Sequence, residues 1–292
     1  MKSVLKVIGY GVVVLIALLV VSYSVMHVRT TMHMNRVYQI QPAPVSIPTD
    51  SNAVAWGKHL AVSRGCLKCH GDNLSGKTIN DDFALGLLVS TNLTGGRGGV
   101  AQQRSDSDWV RAIRHGVGAD GKPLIAMPSQ DSYYMSDEDL GSLIAYIKQV
   151  PPVDNEVPEN KIGPLARVLY QFGKLDVLIP AEMIQHDAPR PESPLAGVTP
   201  EYGRYLVRGN CQGCHGETLA GGPPLVPGFP PVANLTKSGP LANWQEPDFI
   251  KTMRTGQTPE GKQLDSEHMP WKELGQMTDT ELRAVWTYLH TM

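Results

Sequence analysis

Cys66-Leu67-Lys68-Cys69-His70 and Cys211-Gln212-Gly213-Cys214-His215 contain all four cysteines of the 292-residue chain. Two thiols three positions apart, followed at once by an imidazole, form the unit that takes a c-type haem: both sulfurs bond the porphyrin and the histidine ligates iron. With 4 Cys and 9 His available, chance yields one such unit in on the order of one shuffled sequence in a thousand. Two units are not accidental. Zinc would require the cysteine pairs about 15–20 residues apart, and these lie 145 apart. A thioredoxin-like dithiol requires strand-rich surroundings, whereas both units follow short helical stretches in glycine-rich context.

The elements around the two units are duplicated. Trp56-Gly57-Lys58-His59-Leu60 precedes the first unit as Tyr202-Gly203-Arg204-Tyr205-Leu206 precedes the second. Asn92-Leu93-Thr94 is echoed by Asn234-Leu235-Thr236, Arg114-His115-Gly116 by Arg254-Thr255-Gly256, and Met127-Pro128 by Met269-Pro270, at offsets between 140 and 146. Two homologous domains, 51–150 and 199–292, account for this. Each closes with an amphipathic helix, striped by Leu140, Leu143, Ile144 and Ile147 in one and Leu282, Val285, Trp286 and Leu289 in the other.

Ahead of the repeats, Lys2 and Lys6 precede an uncharged run from Val7 to Met26. Its twenty residues, apolar on every face, just span a bilayer's hydrocarbon at about 1.5 Å per residue. This predicts a transmembrane anchor over 1–28. Ser22-Tyr23-Ser24 is a passable cleavage site for the rival reading, a signal peptide, but the run is long and stays apolar beyond it. A polar stalk, 29–50, follows. The segment 151–198 is rich in proline and reads as a linker, with one amphipathic helix marked by Leu165, Val168, Leu169, Phe172 and Leu175; it could pack on the domains or lie on the membrane, and its polar face, not strongly basic, favours packing.

Charge removes one class of function. Charged residues make up 18% of the chain and the formal net charge is −2; beyond residue 36, 22 bases face 28 acids. That surface has no basic footprint for nucleic acid.

On these motifs the chain resembles the class I c-type cytochromes over both repeats, about two hundred residues. The resemblance implies a mostly α fold, two tandem class I cytochrome c domains after one N-terminal transmembrane helix. In each domain the first and last helices would cross at a small residue, Gly57 and Gly203. It implies two covalently bound haem c groups, held by Cys66, Cys69 and His70 and by Cys211, Cys214 and His215. A methionine would bind the opposite face of each iron, Met127 against His70 and Met269 against His215; Met/His ligation raises the potential of haem iron. The linker and second domain most resemble dihaem cytochrome subunits that accompany membrane-bound dehydrogenases. Domain one departs from them in having Arg104 where domain two has Trp244.

The resemblance places the chain in the bacterial cytoplasmic membrane as a single-pass protein with its haem domains on the periplasmic side. There it would pass single electrons between redox partner proteins, from a dehydrogenase donor toward an oxidase or another cytochrome. It is not expected to transform a substrate itself. A dihaem enzyme of the peroxidase or thiosulfate-oxidising kind would need an open or unusually ligated iron, which a methionine in each repeat disfavours. A fixed relay subunit of a larger respiratory complex fits the same features.

Two methionines per domain repeat in register, so spacing cannot choose between Met127 with Met269 and Met135 with Met277. Capping can. Met135 and Met277 precede Ser136-Asp137-Glu138-Asp139-Leu140 and Thr278-Asp279-Thr280-Glu281-Leu282, each an N-cap with an acid at N3, so a hydrophobic staple onto the leucine at N4 already accounts for them. Met127 and Met269 are each followed by a proline that stiffens a loop. Arg114 and Arg254 are candidates for haem propionates or for solvated helix ends. His59, His115, His186 and His268 do not recur and are read as structural or solvated. The Asn-Leu-Thr triplets match glycosylation acceptors, but their place inside both repeats argues for a loop-shaping role.

Overall fold

The computed structural model describes residues 2–190, 194–224 and 229–292. Its first element, α1 (Lys2–Met34), is a single helix of 33 residues that is exposed on all faces of its apolar run and is long and apolar enough to cross a membrane. The helix runs on to Met34, past the expected end of the anchor at 28. The residues after it do not form a free stalk. Tyr38 N donates to Gly121 O, Arg111 Nε donates to Ile40 O, and Val45 and Ile47 pack on the first core, so 35–50 is a strap bound to the domain that follows.

That domain contains α2 (Ser51–Ser63), α3 (Cys66–His70), α4 (Asp106–His115), α5 (Ser129–Ser132) and α6 (Asp137–Gln149). The last domain repeats the series as α8 (Pro200–Asn210), α9 (Gln212–His215), α10 (Glu246–Thr255), α11 (Trp271–Leu274) and α12 (Asp279–Leu289). The chain is thus mostly helical, with two like domains behind an apolar N-terminal helix. In each, the first and last helices cross at the expected glycine: a Cβ on Gly57 would overlap the Ser142 carbonyl, and one on Gly203 the Ala284 carbonyl. Close backbone approach lets Leu60, Leu140 and Ile144 in one core, and Leu206, Leu282 and Val285 in the other, reach near-complete burial. Each such side chain contributes roughly 1.5–3 kcal/mol.

The caps fall where the sequence puts them. Ser136 Oγ accepts from Asp139 N at 3.1 Å, and at Thr278 the box closes with Glu281. Met135 and Met277 are buried in the same clusters as Leu140 and Leu282, as the staple requires. Asp139 closes no box because its carboxylate is used elsewhere, by Trp56 Nε1 at 2.7 Å and by Tyr205 OH.

A small sheet was not legible in the sequence. β1 (Thr78–Asp82) and β2 (Gly86–Val89) form an antiparallel hairpin after the first attachment unit, and β3 (Lys161–Ile162), from the connector, pairs with β2. The connector is therefore no free linker. Val153 and Asn155 bond back to Thr94, Asn92 and Ser75, and Leu178 O accepts from Ala126 N, beside Met127. Its helix, α7 (Pro164–Gln171), docks on the far end of α1 and, at its first turn, on the β1–β2 hairpin, where Ala84 O accepts from Leu165 N.

Candidate haem sites

Both attachment units lie on a single helical turn, so the thiols at i and i+3 share one face with the histidine at its end. The turn stops at Gly71 (φ 80°, ψ 162°) and Gly216 (φ 79°, ψ 164°), a backbone region that only glycine enters without strain. Immediately beyond, the chain folds back: Leu93 N donates to Leu74 O, and Leu235 N to Leu219 O, both at 2.8 Å. The Asn-Leu-Thr triplets shape this return. Asn92 Oδ1 accepts from Thr94 N at 2.9 Å, and Asn234 Oδ1 from Thr236 N at 2.8 Å. Asn92 is fully buried and donates to Val153 O, which removes it as a glycan acceptor.

The loop so shaped delivers a carbonyl to each histidine. Thr91 O lies 2.8 Å from His70 Nδ1, and Ala233 O lies 2.8 Å from His215 Nδ1. A carbonyl can only accept, so Nδ1 carries the proton and Nε2 keeps its lone pair. A bond of this kind, from the ring nitrogen that does not face the metal, is the one that orients metal-binding histidines. Burial lowers the pKa of both imidazoles, which keeps them neutral. Burial also pushes the Cys66 thiol up to about 11 and the Cys211 thiol to about 12. Neither is the thiolate that a dithiol redox centre works with.

The methionine loops are equally matched. Pro128 (φ −75°, ψ 58°) and Pro270 (φ −76°, ψ 55°) each form an inverse γ-turn, in which Ser129 N donates to Met127 O at 2.6 Å and Trp271 N to Met269 O at 2.7 Å. Met127 and Met269 are half-buried, in contrast to the fully packed Met135 and Met277. Arg114 and Arg254 each clamp the backbone ahead of the final helix, and Arg114 keeps Nε and Nη1 buried with no partner among the described residues, donors of the kind a propionate takes up. Arg114 Nη2 donates to Met135 O at 2.7 Å and pairs with Asp137 at 2.9 Å; Arg254 repeats this with Met277 O at 2.7 Å and Asp279 at 2.6 Å. They tie helix α4 or α10 to the start of the final helix, and so hold the ends of the methionine loop.

Matches to known proteins agree with this chemistry. The family model for cytochrome c matches residues 54–151 and 200–292. The chain belongs to the cytochrome c family. It is 26% identical over 283 residues to the fructose dehydrogenase cytochrome subunit of Gluconobacter japonicus, covering 88% of this chain and 56% of that one. It is 27% identical over 270 residues to the gluconate 2-dehydrogenase cytochrome c subunit of Pantoea cypripedii, covering 81% and 58%. Over 272 residues it is 26% identical to the alcohol dehydrogenase (quinone) cytochrome c subunit of Gluconacetobacter polyoxogenes, covering 83% and 56%. The chain thus spans a little over half the length of these relatives. Family membership implies covalently bound haem c, and the paired thiols, the neutral histidine with a free Nε2 and the soft thioether loop fit that group in both domains.

The two cytochrome domains meet across a pseudo-twofold interface that sequence reasoning missed. His59 Nε2 on α2 bonds Glu281 Oε2 on α12 at 2.8 Å, and at the equivalent positions Tyr205 on α8 bonds Asp139 on α6. Helix α11 packs on α2, and α5 on α8. Each attachment unit therefore touches the other domain's methionine loop: Lys68 Nζ donates to Ser266 O at 2.9 Å, while the Asp131 carboxylate lies against Gly213. Burial raises Asp131, to about 6, against the opposing pull of Arg64. The signal was present in the repeat offsets, since Asp131 and Glu273, like Asp139 and Glu281, stand 142 apart; a pattern of pairing across domains is what offsets alone do not reveal. His115 and His186 are joined to each other, Nδ1 to Nδ1, at 3.1 Å.

Glu281 gives the interface a pH dependence. Burial works to raise its pKa, but hydrogen bonds from His59 and Thr278 more than reverse this and hold the carboxyl below its ordinary 4.5. A depressed carboxyl stabilises above its unfolded pKa and loses that contribution as pH falls through the folded value. Glu281→Gln should cost about 1–3 kcal/mol at pH 7 and flatten the fall in denaturation midpoint below about pH 4.5. Chemical denaturation from pH 3 to 7 checks both.

Proposed function

We propose that the chain is a membrane-anchored dihaem cytochrome c that relays single electrons from a dehydrogenase partner toward a respiratory acceptor on the extracytoplasmic side. The observation that carries this reading is the pseudo-twofold interface, on which each Cys-x-x-Cys-His unit is packed against the methionine loop of the other domain. That arrangement brings two one-electron sites together inside one rigid contact, as a relay requires. The haems supply the redox step; the residues supply ligation, burial and a fixed separation.

In this reading Cys66, Cys69, His70 and Met127 hold one haem, and Cys211, Cys214, His215 and Met269 the other. Domain one tunes its site differently. Arg104 lies over the Trp109 ring at 5.2 Å, burial lowers its pKa, and Trp109 Nε1 is buried with no partner among the described residues. Two donors without an acceptor suit a haem carboxylate. At the matching place in domain two, Trp244 Nε1 donates to Glu260 at 2.9 Å. Arg104→Gln should lower the midpoint potential of one centre and leave the other in place, because a cation beside the iron favours the electron; spectroelectrochemical titration reads this.

The relatives are cytochrome subunits of fructose, alcohol and gluconate dehydrogenases, which supports a dehydrogenase donor. The test is to extract the protein from its native membranes in mild detergent and add sugars, sugar acids and alcohols in turn while following the reduced-haem absorption. One substrate should reduce both centres through a co-purified dehydrogenase. Haems that stay oxidised with every substrate, in a protein that catalytically consumes peroxide once reduced, would replace this reading with the enzyme one.

A further inference from the structure

The connector helix α7 holds α1 through polar side chains and leaves the apolar Leu165 and Phe172 exposed. Arg167 Nη1 reaches Thr31 Oγ1 at 3.0 Å and His27 O at 3.3 Å, Gln171 Nε2 reaches Thr30 Oγ1 at 3.1 Å, and the Tyr170 ring meets His33 edge-on at 5.7 Å. Ala166 is buried at the side where the β1–β2 hairpin abuts, with Ala84 O accepting from Leu165 N at 2.9 Å. What remains is the face of Leu165, Val168, Leu169 and Phe172, at i, i+3, i+4 and i+7, half-buried at Val168 and Leu169 and exposed at its two ends. Leu165 is 45% exposed and Phe172 is 64% exposed. At the hairpin tip, next to the start of α7, Phe83 is 90% exposed. An amphipathic helix ordinarily covers that face with protein.

Depth says what covers it here. Counted from Met26, where the uncharged run ends, the contacts at His27 to Thr31 lie about 2–8 Å farther along α1. The headgroup layer outside a roughly 30 Å hydrocarbon core is about 5–8 Å thick. Arg167, Tyr170 and Gln171 all meet α1 between His27 and His33, so α7 is held within about 10 Å of the end of the uncharged run. A helix held at that depth beside a membrane-spanning helix sits in or against the headgroup layer. At that level α1 itself still exposes Val25, Val28 and Met32, a stripe that lipid covers and that continues the apolar surface past the span.

Resting on the membrane-anchored reading, we propose that α7 is an interfacial helix seated in the outer face of the bilayer. Leu165 and Phe172, with Phe83 beside them, lie at the boundary of headgroups and acyl chains. The contact fixes the height and tilt of the first cytochrome domain over the membrane, which a single span joined to a flexible stalk would not do.

The test uses the full-length holoprotein in vesicles of phosphatidylethanolamine and phosphatidylglycerol. Its own four cysteines are consumed by thioether bonds, so a nitroxide attaches only at an introduced thiol. Labels are placed singly with Phe172→Cys, Phe83→Cys, Leu15→Cys within the span and Asp154→Cys on an exposed loop. Collision with dissolved oxygen is compared with collision with a water-soluble nickel chelate. The oxygen-to-nickel ratio at 172 and 83 should be severalfold above that at 154 and approach that at 15. A lipid-like ratio at 15 with a water-like ratio at 172 would overturn the interfacial helix and leave the anchor standing. A label at 172 shielded from both reagents would mean protein covers the face, which also overturns it. A water-like ratio at 15 would remove the anchor and the inference together.

Discussion

Met127→Ala and Met269→Ala should each abolish the sulfur-to-iron charge-transfer absorption of one haem and lower its midpoint potential. Axial ligation commands a range of about 0.8 V, and the thioether lies toward its high end, so the shift should far exceed that from any nearby charge. Both methionines sit on loops held at one end by an inverse γ-turn at proline and at the other by an arginine clamp. Neither side chain is fully packed: both are half-buried, Met269 at the edge of the second core. Met135→Ala and Met277→Ala should leave the absorption unchanged and cost about 2–5 kcal/mol, the usual toll of emptying a packed site. If the band survived in Met127→Ala and vanished in Met135→Ala, the ligand assignment in domain one would be reversed.

Gly203→Val should prevent the last domain from folding, and Gly57→Val the first. At both positions the new side chain would meet backbone, the carbonyls of Ala284 and Ser142, and backbone at a helix crossing cannot rotate aside. The cost should exceed the roughly 1–3 kcal/mol of ordinary overpacking, because the helices must part to admit the side chain, and each variant should lose one haem while keeping the other. Gly11→Val, where nothing lies within 4 Å, should be silent. Haem content per chain and circular dichroism distinguish these outcomes.

Repetition is what made so much of the molecule readable. The attachment units, the glycine crossings and the caps at Ser136 and Thr278 are local patterns of fixed spacing, and each was found where its spacing put it. The staple explained Met135 and Met277 without any structure. The misses share a cause. The hairpin consists of Thr78–Asp82, polar and without alternation, and four residues of β2, and it is completed by two residues from 75 positions away, a pairing that no local signal encodes. Residues 35–50 and 151–163 looked like linkers because proline and polar side chains dominate them, yet their backbones supply the bonds that Gly121, Arg111 and Thr94 need. The clamp made by Arg114 was missed for a related reason: Nη2 bonds the Met135 carbonyl, a group every residue carries, so the sequence does not mark that role.

The most direct measurement is a potentiometric titration of the visible spectrum of the detergent-extracted protein, paired with the haem content of the denatured chain. Two haems should stay attached after denaturation, and the native protein should titrate as two one-electron, low-spin centres. A single retained haem, or a high-spin five-coordinate iron that turns over peroxide, would contradict the two-centre relay.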